Sequence, residues 1–331
     1  MTAAFSRTLG RSGIQVSPMG LGCWAIGGLV WRGQTPVGWG EVDDHESIRA
    51  IQRALHLGVN FFDTADAYGT GHSETVLGKA LEGKRSQVVI ATKFGNTYDE
   101  STRQLVEANA SPSYIRWACE ASLRRLMVDY IDLYQLHLGG LDLEQAAVVR
   151  DTLEQLVIEG KIRAYGWSTD DPARAKFFAE GPHCVAVQHQ MNVLEDNAEM
   201  VAVCEALNLA SINRGPLAMG LLTGKYRLDS KLPNNDVRGE RAPEWMKYFK
   251  DGRPSPEFLK KLEAIRAILT SDGRTLAQGA LAWLWARTSK TIPIPGFKTV
   301  AQVEENCGAI GFGPLGAAQM GEIENLLGRS V

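Results

Sequence analysis

Residues 61–78 read FFDTADAYGTGHSETVLG. Phe61 and Phe62 have the character of a buried strand end, and Asp63, Asp66 and Tyr68 follow at once. Gly69 and Gly71 come next, then a helix start at Ser73. Two carboxylates and a phenol at the exit of a core strand suggest a strand that opens onto a reactive site. Whether other strands end the same way decides the fold.

They do. Short apolar runs at 18–22, 60–63, 88–92, 131–136, 164–167, 185–188, 209–212 and 291–294 alternate with helical patterns. Each run is apolar on both faces, as a buried parallel strand is. The intervening helices carry their own signals. Asp43 or Asp44 caps a helix with Ile48, Ile51 and Leu55 on one face and Gly58 just beyond its end. Ile115, Cys119, Ser122 and Leu126 fall at helical spacing, a further helix spans 143–159 and stops at Gly160, and Thr275 with Gln278 forms a capping-box pattern. Ahead of all these, FSRTLGRSGIQV reads as a small hairpin around a Gly-Arg-Ser-Gly turn.

Eight strands alternating with helices admit an open doubly wound sheet or a closed barrel. No G-x-G-x-x-G turn joins the first strand to the first helix. Instead, Asp63, Lys93, His137, Ser168 and Gln188 all stand at strand C-terminal ends, where a barrel assembles its active site from several strands at once. We therefore expect one α/β domain over 1–331, a (β/α)8 TIM barrel with an N-terminal β-hairpin and long loops at the C-terminal face. The long loops are 23–42, rich in Gly and Trp, and 225–256, rich in Pro, charge and aromatics. Both suit walls of a substrate site, because tryptophan is a poor residue for a solvated loop.

Composition narrows the function. The 331 residues are 44% hydrophobic and 22% charged, with a net charge of −3, so nothing points to nucleic acid. No run has the length and apolarity of a membrane span, and MTAAFSRTLG lacks a signal-peptide core. Five scattered cysteines make no C-x-x-C pair, and the histidines show no metal spacing. A cytoplasmic protein without a metal is the expectation.

Asp63, Tyr68, Lys93 and His137 support proton donation to a carbonyl oxygen. A free tyrosine, with a pKa of about 10, is a weak acid. A neighbouring ammonium favours the phenolate, so Lys93 is expected to lower the pKa of Tyr68. Asp63 would keep Lys93 charged and in place, and His137 would orient the carbonyl. No side chain among them supplies a hydride; a reduced nicotinamide would. Taken singly, each has a plainer reading: a turn aspartate, a surface lysine, a structural histidine, a packed tyrosine. Together, on three consecutive strand ends, they point to one site.

NFFDTADAYGTGHSE, VVIATKFG and DYIDLYQLH resemble the Asp, Tyr, Lys and His motifs of the aldo-keto reductases. RAYGWST, VAVQHQMN, RGPLAMGLLTGKY and IPIPGFKTVAQVEEN continue the match in order along almost the whole chain. The pattern is most similar to the bacterial branch that also resembles potassium-channel β-subunits. The resemblance implies NADPH-dependent reduction of a small carbonyl substrate, with Tyr68 as the general acid. It also implies cofactor contacts. Ser168 and Gln188 would bind the nicotinamide carboxamide. Gly215, Leu217, Met219 and Lys225 would lie in the loop over the pyrophosphate, with Arg214 and Pro216 beside them. Gly296, Lys298, Gln302, Glu305 and Asn306 would form the adenosine site, and Gly22 and Trp24 would line the site from the first strand end. Lys298 lies near a helix start, and both features favour a phosphate, such as the 2′-phosphate of NADP.

Three positions depart from the family pattern. Thr169 replaces an asparagine, Arg214 replaces a ring-stacking aromatic, and Gly215 replaces a serine. A guanidinium can also stack. GLLTGKY is no Walker A loop, since three residues separate its glycines and Tyr226 follows the lysine. Trp24, Trp31 and Trp39 are candidates for an apolar or sugar-stacking wall. Two other functions fit less of the sequence: a cofactor-loaded regulatory module, and an isomerase or lyase using Lys93 as a Schiff-base amine. The second needs a depressed lysine pKa, which an adjacent Asp63 opposes. Oligomeric partners are not readable.

Overall fold

The computed structural model describes residues 5–329. Eight parallel strands form its centre: β1 Gly20–Gly22, β2 Phe61–Asp63, β3 Val89–Phe94, β4 Ile131–Leu136, β5 Ile162–Ser168, β6 Cys184–Gln190, β7 Ala210–Arg214 and β8 Thr291–Pro293. Each pairs with its sequence neighbour. The ring closes where Gly22 bridges Gly296 in parallel, with Gly22 N–H donating to Pro295 O at 3.0 Å. All eight expected strands are present, and the sheet is a barrel.

Successive side chains of a strand point to opposite faces. Phe61, Val89, Ala91, Leu133, Ala164, Ala186, Ala210, Ile212 and Ile292 pack together in the barrel interior. The alternate residues Phe62, Ile90, Phe94, Tyr134, Leu136 and Val187 pack outward into the larger core beneath the helices. Both faces are therefore dry, which is why the strands read as unbroken apolar runs.

Helices α1 Asp44–His56, α2 His72–Ala80, α3 Pro112–Leu126, α4 Leu143–Ile158, α5 Pro172–Phe178 and α6 Ala198–Ala206 follow the first six strands. Two helices, α7 Pro256–Leu269 and α8 Leu276–Arg287, lie between β7 and β8, and α9 Val300–Gly308 and α10 Ala317–Leu326 end the described chain. Asp43 is the cap of α1, accepting from His45 N and Glu46 N. The expected capping box of Thr275 and Gln278 opens α8. Helix α2 starts at His72, one residue ahead of Ser73.

The N-terminal hairpin, Arg7–Thr8 against Gln15–Val16, closes the bottom of the barrel. Leu9, Ile14 and Val16 join the interior cluster. Arg11 fastens the plug by donating to Cys184 O at 2.9 Å and to Ala179 O and Gly181 O at 2.6 Å each. The other end stays open, so that is where a site can form.

Both long loops carry secondary structure of their own. Segment 23–42 supplies strands Trp31–Arg32 and Thr35–Pro36. These join Asn96–Asp99 and Gln104–Ala108 in a four-stranded sheet above the barrel mouth. Segment 225–256 contains a short hairpin, Phe249–Lys250 with Arg253–Pro254. The two loops meet across the mouth, where Trp39 bridges Asp236 and Val237 N–H donates to Gly38 O at 2.7 Å. Among the described residues no helix is long and apolar enough to cross a membrane, and no cluster of three or more His, Cys, Asp or Glu could hold a metal. The five cysteines are free and buried.

Candidate active site

The inward parity of the strands builds the site. Two residues above Phe61 stands Asp63, two above Ala91 stands Lys93, and two above Leu133 stands Gln135. The same step leads from Ala186 to Gln188 and from Ile212 to Arg214. The apolar filling of the barrel thus gives way, one layer higher, to a ring of polar groups.

Lys93 is the hub. Its Nζ donates to Asp63 Oδ1 at 2.5 Å, to Thr64 O at 2.8 Å and to Tyr68 OH at 3.1 Å. Asp63 Oδ2 accepts from Gln188 Nε2 at 2.8 Å and Gln135 Nε2 at 3.0 Å. Lys93 and Asp63 are sealed from solvent, which a buried ion pair tolerates only with its remaining hydrogen-bonding positions filled. His137, just past β4, stands edge-on to Tyr68 with ring centroids 5.8 Å apart. The tetrad therefore converges.

Local backbone packing sets Tyr68. Gly69 has φ 61°, and a Cβ there would lie 2.0 Å from Gly27 O. The Tyr68 loop can rest on the loop after β1 only because neither glycine has a side chain.

Electrostatics assign the protonation states. Burial raises the pKa of Tyr68, and the positive charge of Lys93 offsets only part of that rise. The expected fall in the tyrosine pKa is thus corrected: the dry walls outweigh the ammonium, and the phenol stays protonated. Burial alone would lower Lys93, but Asp63 and Tyr68 outweigh it and hold the pKa above that of a free lysine. Burial, with smaller contributions from Lys93, Arg214 and Arg32, pushes His137 down to about 3, so the ring is neutral, with its Nδ1 buried and unpartnered. The site therefore offers a neutral phenol and a neutral imidazole over a fixed ammonium.

Above them lies a cavity of about 1200 Å³. Asp63, Tyr68 and His137 line it, and so does every candidate cofactor residue, from Gly22 and Trp24 to Glu305 and Asn306. Lys93 sits one layer below. Ser168 and Gln188 are in the deep part, with the Gln188 amide nitrogen committed to Asp63. Met219 and Gly220 both have positive φ, 57° and 92°, which folds loop 215–224 tightly over one side. Trp24 and Trp39 line the cavity as expected, but Trp31 does not, because its strand position turns it away. Trp245 takes the third place in the wall.

The departures from the family pattern have structural consequences. Thr169 is turned away from the cavity and donates to Gly139 O at 2.8 Å. Arg214 is pinned by Asp170 and donates to Gln190 Oε1 at 3.2 Å. The start of α9 is already capped by this chain: Val300 N–H donates to Glu46 Oε1 at 2.8 Å, and Gln302 N–H to Thr299 Oγ1 at 3.3 Å. Lys298 itself reaches across to the carbonyls of Trp39 and Glu41.

Several residues escaped the sequence reading. Gln135 lies within a strand, and only its parity with His137 marked it. Arg238, from the second long loop, chelates Asp236, donates to Met219 O at 3.0 Å and lies 4.5 Å over the Trp39 ring. Asp66 is the other carboxylate of the opening motif. It does not line the cavity; both its oxygens are buried and unpartnered, and burial followed by the nearby charge of Glu74 raises its pKa well above the usual range.

The chain matches the model of the Aldo/keto reductase family over residues 18–327. It is 35% identical over 321 residues to a chloroplastic pyridoxal reductase of Arabidopsis thaliana, covering 90% of this chain and 80% of the relative. Among solved structures it is similar to a glycerol dehydrogenase of Gluconobacter oxydans, with TM-score 0.81, 29% identity, and coverage of 100% of this chain and 97% of the other. It is likewise similar to the holo form of an aldo-keto reductase of Bacillus halodurans, with TM-score 0.76, 30% identity, and coverage of 97% and 95%.

Proposed function

The chain belongs to the aldo/keto reductase family, and from that premise we propose that it is a cytoplasmic, single-domain NADPH-dependent reductase of aldehydes or ketones with Tyr68 as general acid. The observation that carries the reading is the contact of Lys93 with both Asp63 and Tyr68 at the floor of the cavity.

The residues present fit the cofactor. The cavity is large enough for a dinucleotide beside a small substrate, and two of its lining cations, Lys225 and Lys298, have no carboxylate partner among the described residues. Gly215 has φ 61°, and a Cβ there would meet the Gln190 amide at 2.6 Å, so only backbone occupies that point. Ser168 and Gln188 would hold the carboxamide, loop 215–224 would cover the pyrophosphate, and Lys225 and Lys298 would meet the phosphates, Lys298 by exchanging its carbonyl partners. When bound, NADPH supplies the hydride for the carbonyl carbon.

The chain does the rest. Neutral His137 donates a ring N–H to the carbonyl oxygen and aims it at Tyr68. As negative charge develops on that oxygen, the Tyr68 proton passes to it. The ammonium of Lys93, 3.1 Å away, stabilises the phenolate left behind. Asp63, held by two glutamines, keeps that ammonium charged and in place. The tryptophans keep water out, which strengthens each of these interactions.

The test follows NADPH oxidation with a panel of aldehydes, beside tryptophan-fluorescence titrations of NADPH. Tyr68→Phe is expected to lose about 10²- to 10⁴-fold in kcat while still binding NADPH. Turnover that survives in Tyr68→Phe overturns the role of Tyr68. A wild type that binds no nicotinamide cofactor overturns the whole reading.

A further inference from the structure

We propose that this cavity takes an aldehyde with a flat aromatic body and an anionic group, carboxylate or phosphate, and that Arg32 reads the anion. The proposal rests on the reductase reading above and names the substrate class of the same site.

Six lysine and arginine side chains line the cavity. Arg214, Arg238 and Lys247 are neutralised by Asp170, Asp236 and Glu195. Lys225 and Lys298 stand where the cofactor phosphates go. Arg32 remains, with no carboxylate within 4.0 Å among the described residues. Its one side-chain hydrogen bond is to a neutral group, Asn96 Oδ1, at 3.1 Å. A guanidinium has five N–H donors in a planar fork. Most of the fork is free, and a fork of this shape matches carboxylate and phosphate oxygens.

Its place in the fold puts the charge on the substrate side. Asn96 lies three residues beyond Lys93 on the same chain segment, and Arg32 comes from the four-stranded sheet above the barrel mouth. Leu105 and Ala108 of that sheet line the same wall. The positive charge of Arg32 is felt at His137. A substrate whose carbonyl oxygen meets Tyr68 and His137 can therefore extend its far end towards Arg32.

Beside Tyr68 the lining of the same cavity is aromatic. Trp24 is stacked on Tyr68 at 6.0 Å with an interplanar angle of 26°, and Trp245 lies 6.2 Å from Trp24. Trp245 leaves 55% of its surface open at the cavity rim. An exposed indole next to a paired one is a ready stacking face for a ring. Arg32 is itself exposed, and its fork stands at the cavity lining with Asn96 as its side-chain partner.

The experiment compares kcat/KM with NADPH for three aldehydes of one ring: para-methylbenzaldehyde, para-carboxybenzaldehyde and para-formylphenyl phosphate. Wild type is expected to prefer at least one anionic aldehyde over the neutral one. That preference should fall about tenfold in Arg32→Gln, as a charge-assisted hydrogen bond near solvent would give, and be partly kept in Arg32→Lys. The arm that carries the preference identifies the anion as carboxylate or phosphate. Added salt should erode it in wild type and not in Arg32→Gln. Equal ratios in wild type and Arg32→Gln overturn the inference while leaving the reductase reading intact. A second readout does not need turnover: para-(hydroxymethyl)benzoate and para-(hydroxymethyl)phenyl phosphate are titrated into the NADP-loaded protein by indole quenching. Binding of either that weakens about tenfold in Arg32→Gln supports the inference; no binding of either, or equal binding in both proteins, overturns it. Loss of all turnover with that binding intact would sink the reductase reading alone.

Discussion

Tyr68 keeps its proton because its walls are dry, and Lys93 keeps its own because Asp63 is near. Those opposite outcomes separate the candidate chemistries. A Schiff-base amine must be neutral to attack, whereas Lys93 is held charged. Borohydride reduction in the presence of an aldehyde is therefore expected to leave no adduct on Lys93, as checked by peptide mass. The buried histidines give a pH signature. Burial lowers His137 to about 3 and His189 to about 4, against about 6.5 in an unfolded chain. Below pH of about 6.5 the unfolded state binds protons that the folded state refuses, so stability falls as pH falls. Asp66 works in the opposite sense. Its raised pKa means that the folded state holds a proton the unfolded state has lost, so its contribution declines as pH rises above about 4. Between about pH 5 and 6.5 the two effects oppose each other. Asp66→Asn should steepen the loss of stability on acidification, read as urea midpoints across that range. An unchanged slope would mean that Asp66 is ionised in the fold.

At the scale of elements, glycines and one arginine join loops that the barrel alone would leave apart. Gly13 and Gly69 both have positive φ, 75° and 61°, but nothing lies within 4 Å of a Cβ at Gly13, while one at Gly69 would strike Gly27 O. Gly13→Ala should cost about 1–2 kcal/mol from backbone conformation alone. Gly69→Ala should cost more in urea denaturation and should also cut kcat by moving Tyr68; equal costs would show that the two loops separate easily. Arg238 ties the second long loop to Met219 O and to the Trp39 ring. Removing one partner of a buried ion pair costs about 3–5 kcal/mol, more than an isolated loop can bear. Arg238→Gln is expected to make segment 225–256 sensitive to protease and to weaken NADPH binding, while the barrel still melts cooperatively.

For the whole molecule, the site belongs to the closed ring rather than to any one strand. Residues from β2 to β8 meet only because Gly22 reaches Gly296. One barrel should unfold in one calorimetric transition; two would break the single-domain reading. A ligand bound only by the closed barrel adds about 2.7 kcal/mol at a hundred times its Kd. NADPH at that level should therefore raise the melting temperature by about 4 °C, and the rise should be smaller in Lys298→Ala. No shift with NADPH would place the cofactor elsewhere or nowhere.

The eight strands, their order and the polar residues at their ends were legible in the sequence because they are local. Apolar runs mark buried strands, and Asp63, Lys93 and His137 follow those runs directly. The α1 cap and the α8 capping box were legible for the same reason, since a few consecutive residues satisfy each helix end. What depends on distant contact was not. The four-stranded sheet pairs Trp31 with Gln104, and no pattern within either segment announces the other. The capping of α9 by Glu46 spans 254 positions. The protonation state of Tyr68 turned on how dry the cavity is, a property of all its walls. Arg32 carries no motif of its own, and the four-stranded sheet is what brings it to the lining of the site. Which strands exist and which side chains stand at their ends can be read from short stretches of chain, because burial and periodicity act over a few residues. Which loops roof the cavity, which cations lack a carboxylate and which groups keep their protons emerge only on folding, because desolvation and charge pairing depend on neighbours that the chain brings together from afar.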